Sequence, residues 1–160
     1  MAKKKPVITN AMRILTAHKI PFEAVEYEAD EVGESFGVHI AELTGIPCEM
    51  SFKTLVAKGK DYMVICIPVD KEVDLKKLAK VSENKKVELI SVKELLPLTG
   101  YIRGGVSPIG MKKKFTTYIH ESCMENEKIA VSGGVCGVTL IMTPDDLISA
   151  TDGILCDVIS

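Results

Sequence analysis

Two apolar runs separated by four turn-forming residues constrain this chain more than any other feature. Residues 52–57 and 62–69 read as strands, and Lys58-Gly59-Lys60-Asp61 between them predicts an antiparallel hairpin. The flanking segments read as helices and further strands. From Thr9, the residues Ala11, Met12, Leu15 and Ile20 fall near helical spacing, with Thr9 or Asn10 as cap and Pro21 ending the run. Residues 22–27 form an imperfect strand pattern that enters an acidic loop at 28–34, and 37–45 predicts a second helix stopped by Gly45. Residues 74–81 place Leu75, Leu78 and Ala79 on one helical face, and 91–96 predict a short helix capped by Ser91 with Glu94 three residues on. Strand-like runs at 115–119, 129–132 and 138–142 precede a last helix, where Thr143 caps and Pro144 occupies the first turn. Strands that alternate irregularly with helices, several joined by short turns, predict an α/β fold of the α+β type: a mixed, largely antiparallel sheet surrounded by helices.

A length of 160 residues suits one domain over 1–160, and 46% hydrophobic with 26% charged residues is ordinary for a globular chain. No apolar run reaches the roughly 20 residues of a membrane span, and residues 1–6 lead from lysines into polar sequence, so a cytoplasmic protein without a membrane partner is expected. Five widely spaced cysteines with no C-x-x-C pair support neither a disulfide framework nor a metal site. A net charge of -2 argues against binding nucleic acid by bulk electrostatics, and no DNA partner is expected. Local basic runs remain at residues 3–5 and at Lys112, Lys113 and Lys114, for which a solvated face is the plain reading.

Three features could carry chemistry. Lys53 lies within an apolar strand, where it either meets an anion or snorkels to solvent. Residues 100–110 hold four glycines and a proline, so their backbone N–H groups could approach an oxyanion or phosphate, or simply form a tight loop. That segment lacks both the G-K-[ST] of a Walker loop and the G-x-G-x-x-G of dinucleotide binders. In Val131-Ser132-Gly133-Gly134, Ser132 could bond a substrate or start a turn. There is no G-x-S-x-G or H-E-x-x-H, and His18, His39 and His120 have no metal or triad spacing, His18 reading as a surface or helix-end residue.

Taken in order, Phe52-Lys53-Thr54-Leu55, the run Thr-Gly-Tyr-Ile-Arg-Gly-Gly-Val-Ser-Pro-Ile-Gly at 99–110, Lys112-Lys113 and Val131-Ser132-Gly133-Gly134 resemble the signature of the YbaK/EbsC family over nearly the whole chain. The resemblance implies the editing-domain fold and a trans-editing deacylase that needs no cofactor and removes cysteine from tRNA for proline, with tRNA for cysteine a further substrate. Removal of alanine or another small amino acid is the sister reading, and a non-catalytic module that binds tRNA or a synthetase is the third. The implied pocket uses Lys53, Gly104 and Ser132 for catalysis, with Tyr27, Phe36, Gly105, Ser107, Gly133, Gly134 and Thr139 around the substrate. Lys112, Lys113 and Lys114 would contact phosphates of the acceptor stem, and a prolyl-tRNA synthetase is the implied protein partner. YbaK-type members carry an aspartate seven residues after the serine, where this chain has Thr139. In cysteine-specific relatives the substrate thiol attacks its own ester and leaves as a thiolactone, which accounts for a site without a triad.

Overall fold

Elements follow the chain in the order α1 (Asn10–Ala17), β1 (Glu23–Glu26), α2 (Phe36–Thr44), β2 (Phe52–Lys58), β3 (Tyr62–Pro68), α3 (Leu75–Val81), β4 (Glu88–Leu89), α4 (Val92–Thr99), β5 (Thr116–His120), β6 (Ile129–Ser132), β7 (Val138–Met142), α5 (Pro144–Thr151) and β8 (Ile154–Cys156). This computed structural model describes residues 8–27 and 36–160, without the side chains of residues 36–39. The expected acidic loop at 28–34 and the Phe36 side chain lie outside the described residues.

The hairpin forms as expected, β2 against β3 from Phe52↔Pro68 to Lys58↔Tyr62. Around it grows a sheet of order β4-β2-β3-β5-β8, in which β3 pairs with β5 and β5 with β8 in parallel. A second sheet, β1-β7-β6, is antiparallel throughout. The mixed, largely antiparallel character is as predicted, but the strands divide into two sheets. They meet at a bridge between Ser51 and Ala130, where the Ala130 N–H donates to the Met50 carbonyl at 2.8 Å.

Burial on both faces explains why β3 reads as an unbroken apolar run rather than an alternating one. Met63, Ile65 and Ile67 pack with Leu78 and Ala79 of α3 and with Tyr118 and Cys156. Cys66 points to the other side, among Ala11 and Leu15 of α1, Leu147 of α5, and Val131 and Leu140 from the second sheet. Leu15, Leu78 and Leu147 are fully buried. Truncating any of them to alanine should cost about 2–5 kcal/mol.

Local signals set the helix ends. Thr9 accepts from the Met12 N–H at 3.2 Å, and α1 stops at His18, where Lys19 takes φ 58°, before Pro21 is reached. Thr143 likewise caps α5 by accepting from the Asp146 N–H at 3.2 Å. The Ser91 N–H donates to Glu94 at 3.0 Å at the start of α4, which runs beyond the expected end at 96, through Pro97 to Thr99. Pro97 removes only one intrahelical donor. The last turn is closed instead by the Thr99 hydroxyl on the Leu95 carbonyl at 2.7 Å and the Gly100 N–H on the Leu96 carbonyl at 2.9 Å.

Candidate functional site

An incomplete strand pairing opens the site. β4 reaches only Ala57 and Lys58 of β2, and β6 only Ser51 just before it, so among the described residues no strand pairs with the stretch of β2 between them on that edge. Backbone groups alternate in direction along a strand. The Ser51 carbonyl accepts from the Val69 N–H across the hairpin, whereas the Val56 carbonyl accepts from Ile90 on the opposite edge. By the same alternation Thr54 turns its N–H and carbonyl to the open edge. A cavity of about 340 Å³ lies there, lined by residues 51–56 of this edge. Its size falls within the roughly 300–1,000 Å³ of ligand pockets. Leu89, Ile90, Val92 and Leu95 form an apolar wall, with Ile40, Thr44 and Ile46 from α2 and beyond it. Val69 beyond β3, Arg103, Gly104 and Val106 of the glycine-rich segment, and Tyr27, Ala130, Ser132 and Thr139 of the second sheet and its flank complete the described lining.

The glycine-rich segment is held from inside. The Gly105 N–H donates to the Ile102 carbonyl at 2.9 Å, and Gly104, third in this turn, has φ 86°, the conformation a type II turn demands there. The buried Tyr101 hydroxyl donates to the Ile109 carbonyl at 2.6 Å, and Asn10 donates its side-chain amide to the Gly110 carbonyl at 2.8 Å. Burial pushes the Tyr101 phenol up to about 12, so it remains a donor across the neutral range. The Arg103 carbonyl accepts from the Cys136 thiol at 3.7 Å. A trans peptide sets N–H opposite to carbonyl, so the Gly104 N–H points away from Cys136 and the turn that carries it.

Each polar lining residue has a defined donor or acceptor capacity. Lys53 is half-buried and, among the described residues, has neither a hydrogen bond nor an ion pair. Ser132 accepts from the Gly134 N–H at 3.2 Å, which leaves its own proton to donate. Thr139 spends its proton on the Val131 carbonyl at 2.9 Å and keeps only acceptor capacity and a methyl group. Burial raises the Tyr27 phenol, opposed by a hydrogen bond with the Gly137 backbone. Among the described lining residues there is no His, Asp, Glu or Cys. Burial pushes the Cys66 thiol up to about 12 and the Cys123 and Cys156 thiols up to about 11, so all three stay protonated at neutral pH.

Tyr27, Lys53, Gly104, Ser132 and Thr139 therefore share one cavity, while Gly105, Ser107, Gly133 and Gly134, also expected around the substrate, are not part of its lining. A Cβ on Gly105 would come within 3.1 Å of the Val135 and Cys136 backbone, and one on Gly133 within 2.7 Å of the Val138 side chain. Gly134, at φ 98°, would meet the Tyr101 ring at 2.9 Å. These glycines serve close packing between turns. Ser107 is fully buried and accepts from the Ile109 N–H at 3.3 Å. Lys112, Lys113 and Lys114 are exposed and do not line the cavity. Lys114 pairs with Asp152 and holds that carboxyl below its usual range. Thr54, Arg103 and the apolar wall escaped sequence reasoning. Thr54 and Arg103 sit inside the motifs, but nothing in a single chain says which strand edge stays open, and two-residue β4 is too short to show a period.

The family model of the aminoacyl-tRNA editing domain matches residues 29–150. The candidate Cys-tRNA(Pro)/Cys-tRNA(Cys) deacylase EbsC of Enterococcus faecalis is 46% identical over 156 residues, 96% of this chain and 94% of that protein. Proline--tRNA ligase 1 of Streptomyces avermitilis is 33% identical over 75 residues, 46% of this chain but 13% of the ligase. The fold matches a crystal structure of a candidate trans-editing enzyme for prolyl tRNA synthetase with a TM-score of 0.82 at 21% identity, over 97% of this chain and 99% of that one. With the family model covering most of its length and a relative aligned almost end to end, the chain belongs to the aminoacyl-tRNA editing domain family.

Proposed function

We propose that this protein is a deacylase that removes cysteine from mischarged tRNA for proline, with the substrate thiol as nucleophile. The observation that carries this reading is a cavity lined by Tyr27, Lys53, Gly104, Ser132 and Thr139 whose described lining holds no His, Asp, Glu or Cys, and so neither a thiol nucleophile nor a histidine or carboxylate to activate the Ser132 hydroxyl. The thiol gives up its proton and its sulfur attacks the ester carbonyl, forming a tetrahedral oxyanion. Collapse expels the ribose oxygen, which takes a proton, and the products are free tRNA and a cysteine thiolactone. The protein contributes orientation and charge stabilisation. The Gly104 N–H is the donor to the oxyanion, Lys53 holds the terminal nucleotide or its phosphate, and Ser132 donates to the acyl group. Lys112, Lys113 and Lys114 meet the acceptor stem outside the cavity, and a prolyl-tRNA synthetase supplies tRNA choice.

A second reading, removal of alanine or another small amino acid, is favoured by Thr139, whose proton is committed to Val131 and whose remaining surface is small and weakly polar. Proline tRNA charged with cysteine, alanine or proline separates the two when ester loss is followed. Cleavage confined to the cysteine ester, with thiolactone as product, supports the thiol mechanism. Preference for the alanine ester transfers the protein to the second reading, and tRNA binding without any ester loss leaves a non-catalytic module.

A further inference from the structure

Arg103 has no part in the roles assigned so far, yet it lines the same cavity as Lys53. It is exposed, and among the described residues its guanidinium has no ion-pair partner. It also occupies the position just before Gly104 in a turn closed by the Gly105 N–H on Ile102. That turn belongs to a segment clamped by Tyr101 and Asn10, so the point from which the arginine stem departs is fixed relative to the Gly104 N–H. A planar guanidinium favours phosphate over other anions because two N–H groups meet two oxygens at once.

We propose that Arg103 binds the phosphodiester on the 5′ side of the terminal nucleotide, and so measures one nucleotide between that phosphate and the ester held at Gly104. This rests on the reading of the substrate as an acylated RNA 3′ end. An arginine stem and one ribose are comparable in length, so adjacent residues of a rigid turn suit the two ends of one nucleotide. Arg103 is then a binding residue that distinguishes a nucleic-acid end from a free aminoacyl nucleoside.

The test measures binding without turnover, using an uncharged single-stranded RNA ending in CCA and, separately, adenosine, across a salt series. Arg103→Met should weaken RNA binding about tenfold at low salt, the effect of losing one charge-assisted contact. It should also reduce the slope of log affinity against log salt by about 0.7, one single-strand phosphate. Adenosine binding should be unchanged, and Arg103→Lys should recover the slope but not the full affinity. Equal losses for RNA and adenosine, an unchanged salt slope, or wild-type binding to RNA no tighter than to adenosine would each overturn the proposal. Ester cleavage is scored separately, so a protein that cleaves nothing but shows the Arg103-dependent slope sinks the deacylase reading and leaves this one standing.

Discussion

Lys53 and Lys77 stand in opposite electrostatic settings. Lys77 on α3 lies 3.2 Å from Asp157, which in turn lies 3.3 Å from His120, and it also donates to the Ile159 carbonyl at 2.8 Å. Lys53 on β2 is half-buried beside an apolar wall and has no described anion. A lysine tied to its own protein's carboxylate and carbonyl secures the chain end beyond β8 to α3. A lysine half-removed from water with no partner among the described residues is a cost to the fold, one that an anionic ligand can reverse. The same residue type is structural in one place and available for binding in the other, and the two differ in their described partners as well as in burial, Lys77 being exposed.

Exchanging the charge for a methyl-terminated stem tests this contrast most sharply. Lys53→Met should lower kcat/KM for the acylated tRNA by about a hundredfold, in line with loss of one preorganised electrostatic contact. Its Tm should stay level or rise, because a half-buried charge with no partner among the described residues has been replaced by apolar volume. A marked fall in Tm would break the comparison by showing that Lys53 supports the fold. Ser132→Ala should act in the same direction but less, about tenfold in kcat/KM for one neutral hydrogen bond to substrate. Steady-state rates on the acylated tRNA, beside thermal melts of each variant, read both effects.

How much of this was legible in the chain depends on whether the signal was local. The hairpin and the caps at Thr9, Ser91 and Thr143 each depend on residues within a few positions of one another, and the structure repeats them closely. Pairing β3 with β5 in parallel joins strands far apart in sequence, and both faces of β3 are buried, so its residues carry no alternation to indicate a neighbour. Hence the division into two sheets could not be read. The glycine pairs make the same point within the site. Gly104 and Gly134 both take positive φ, but Gly104 lines the cavity, whereas Gly134 packs on Tyr101. Sequence marks both as places for close approach and does not say what approaches.

The lysine paired with Asp157 offers the smallest effect and a pH signature of its own. Asp157 is held below the ordinary carboxylate range chiefly by the hydrogen bond from Lys77, with the Ile159 N–H and His120 adding and desolvation opposing. A carboxyl whose folded pKa is depressed contributes stability above its unfolded value, near 3.8, and loses it as pH falls through the lower folded value. Lys77→Met should therefore lower Tm modestly at pH 7, and the gap from wild type should begin to close below about pH 4. The Asp157 titration, followed by NMR of its carboxyl carbon, should move up toward the ordinary range in the variant. A gap that stays constant through the acid range would assign the role of Lys77 to its bond with the Ile159 carbonyl, which does not titrate. Lys53→Met should show no such pH-dependent gap, because no described carboxylate is paired with Lys53.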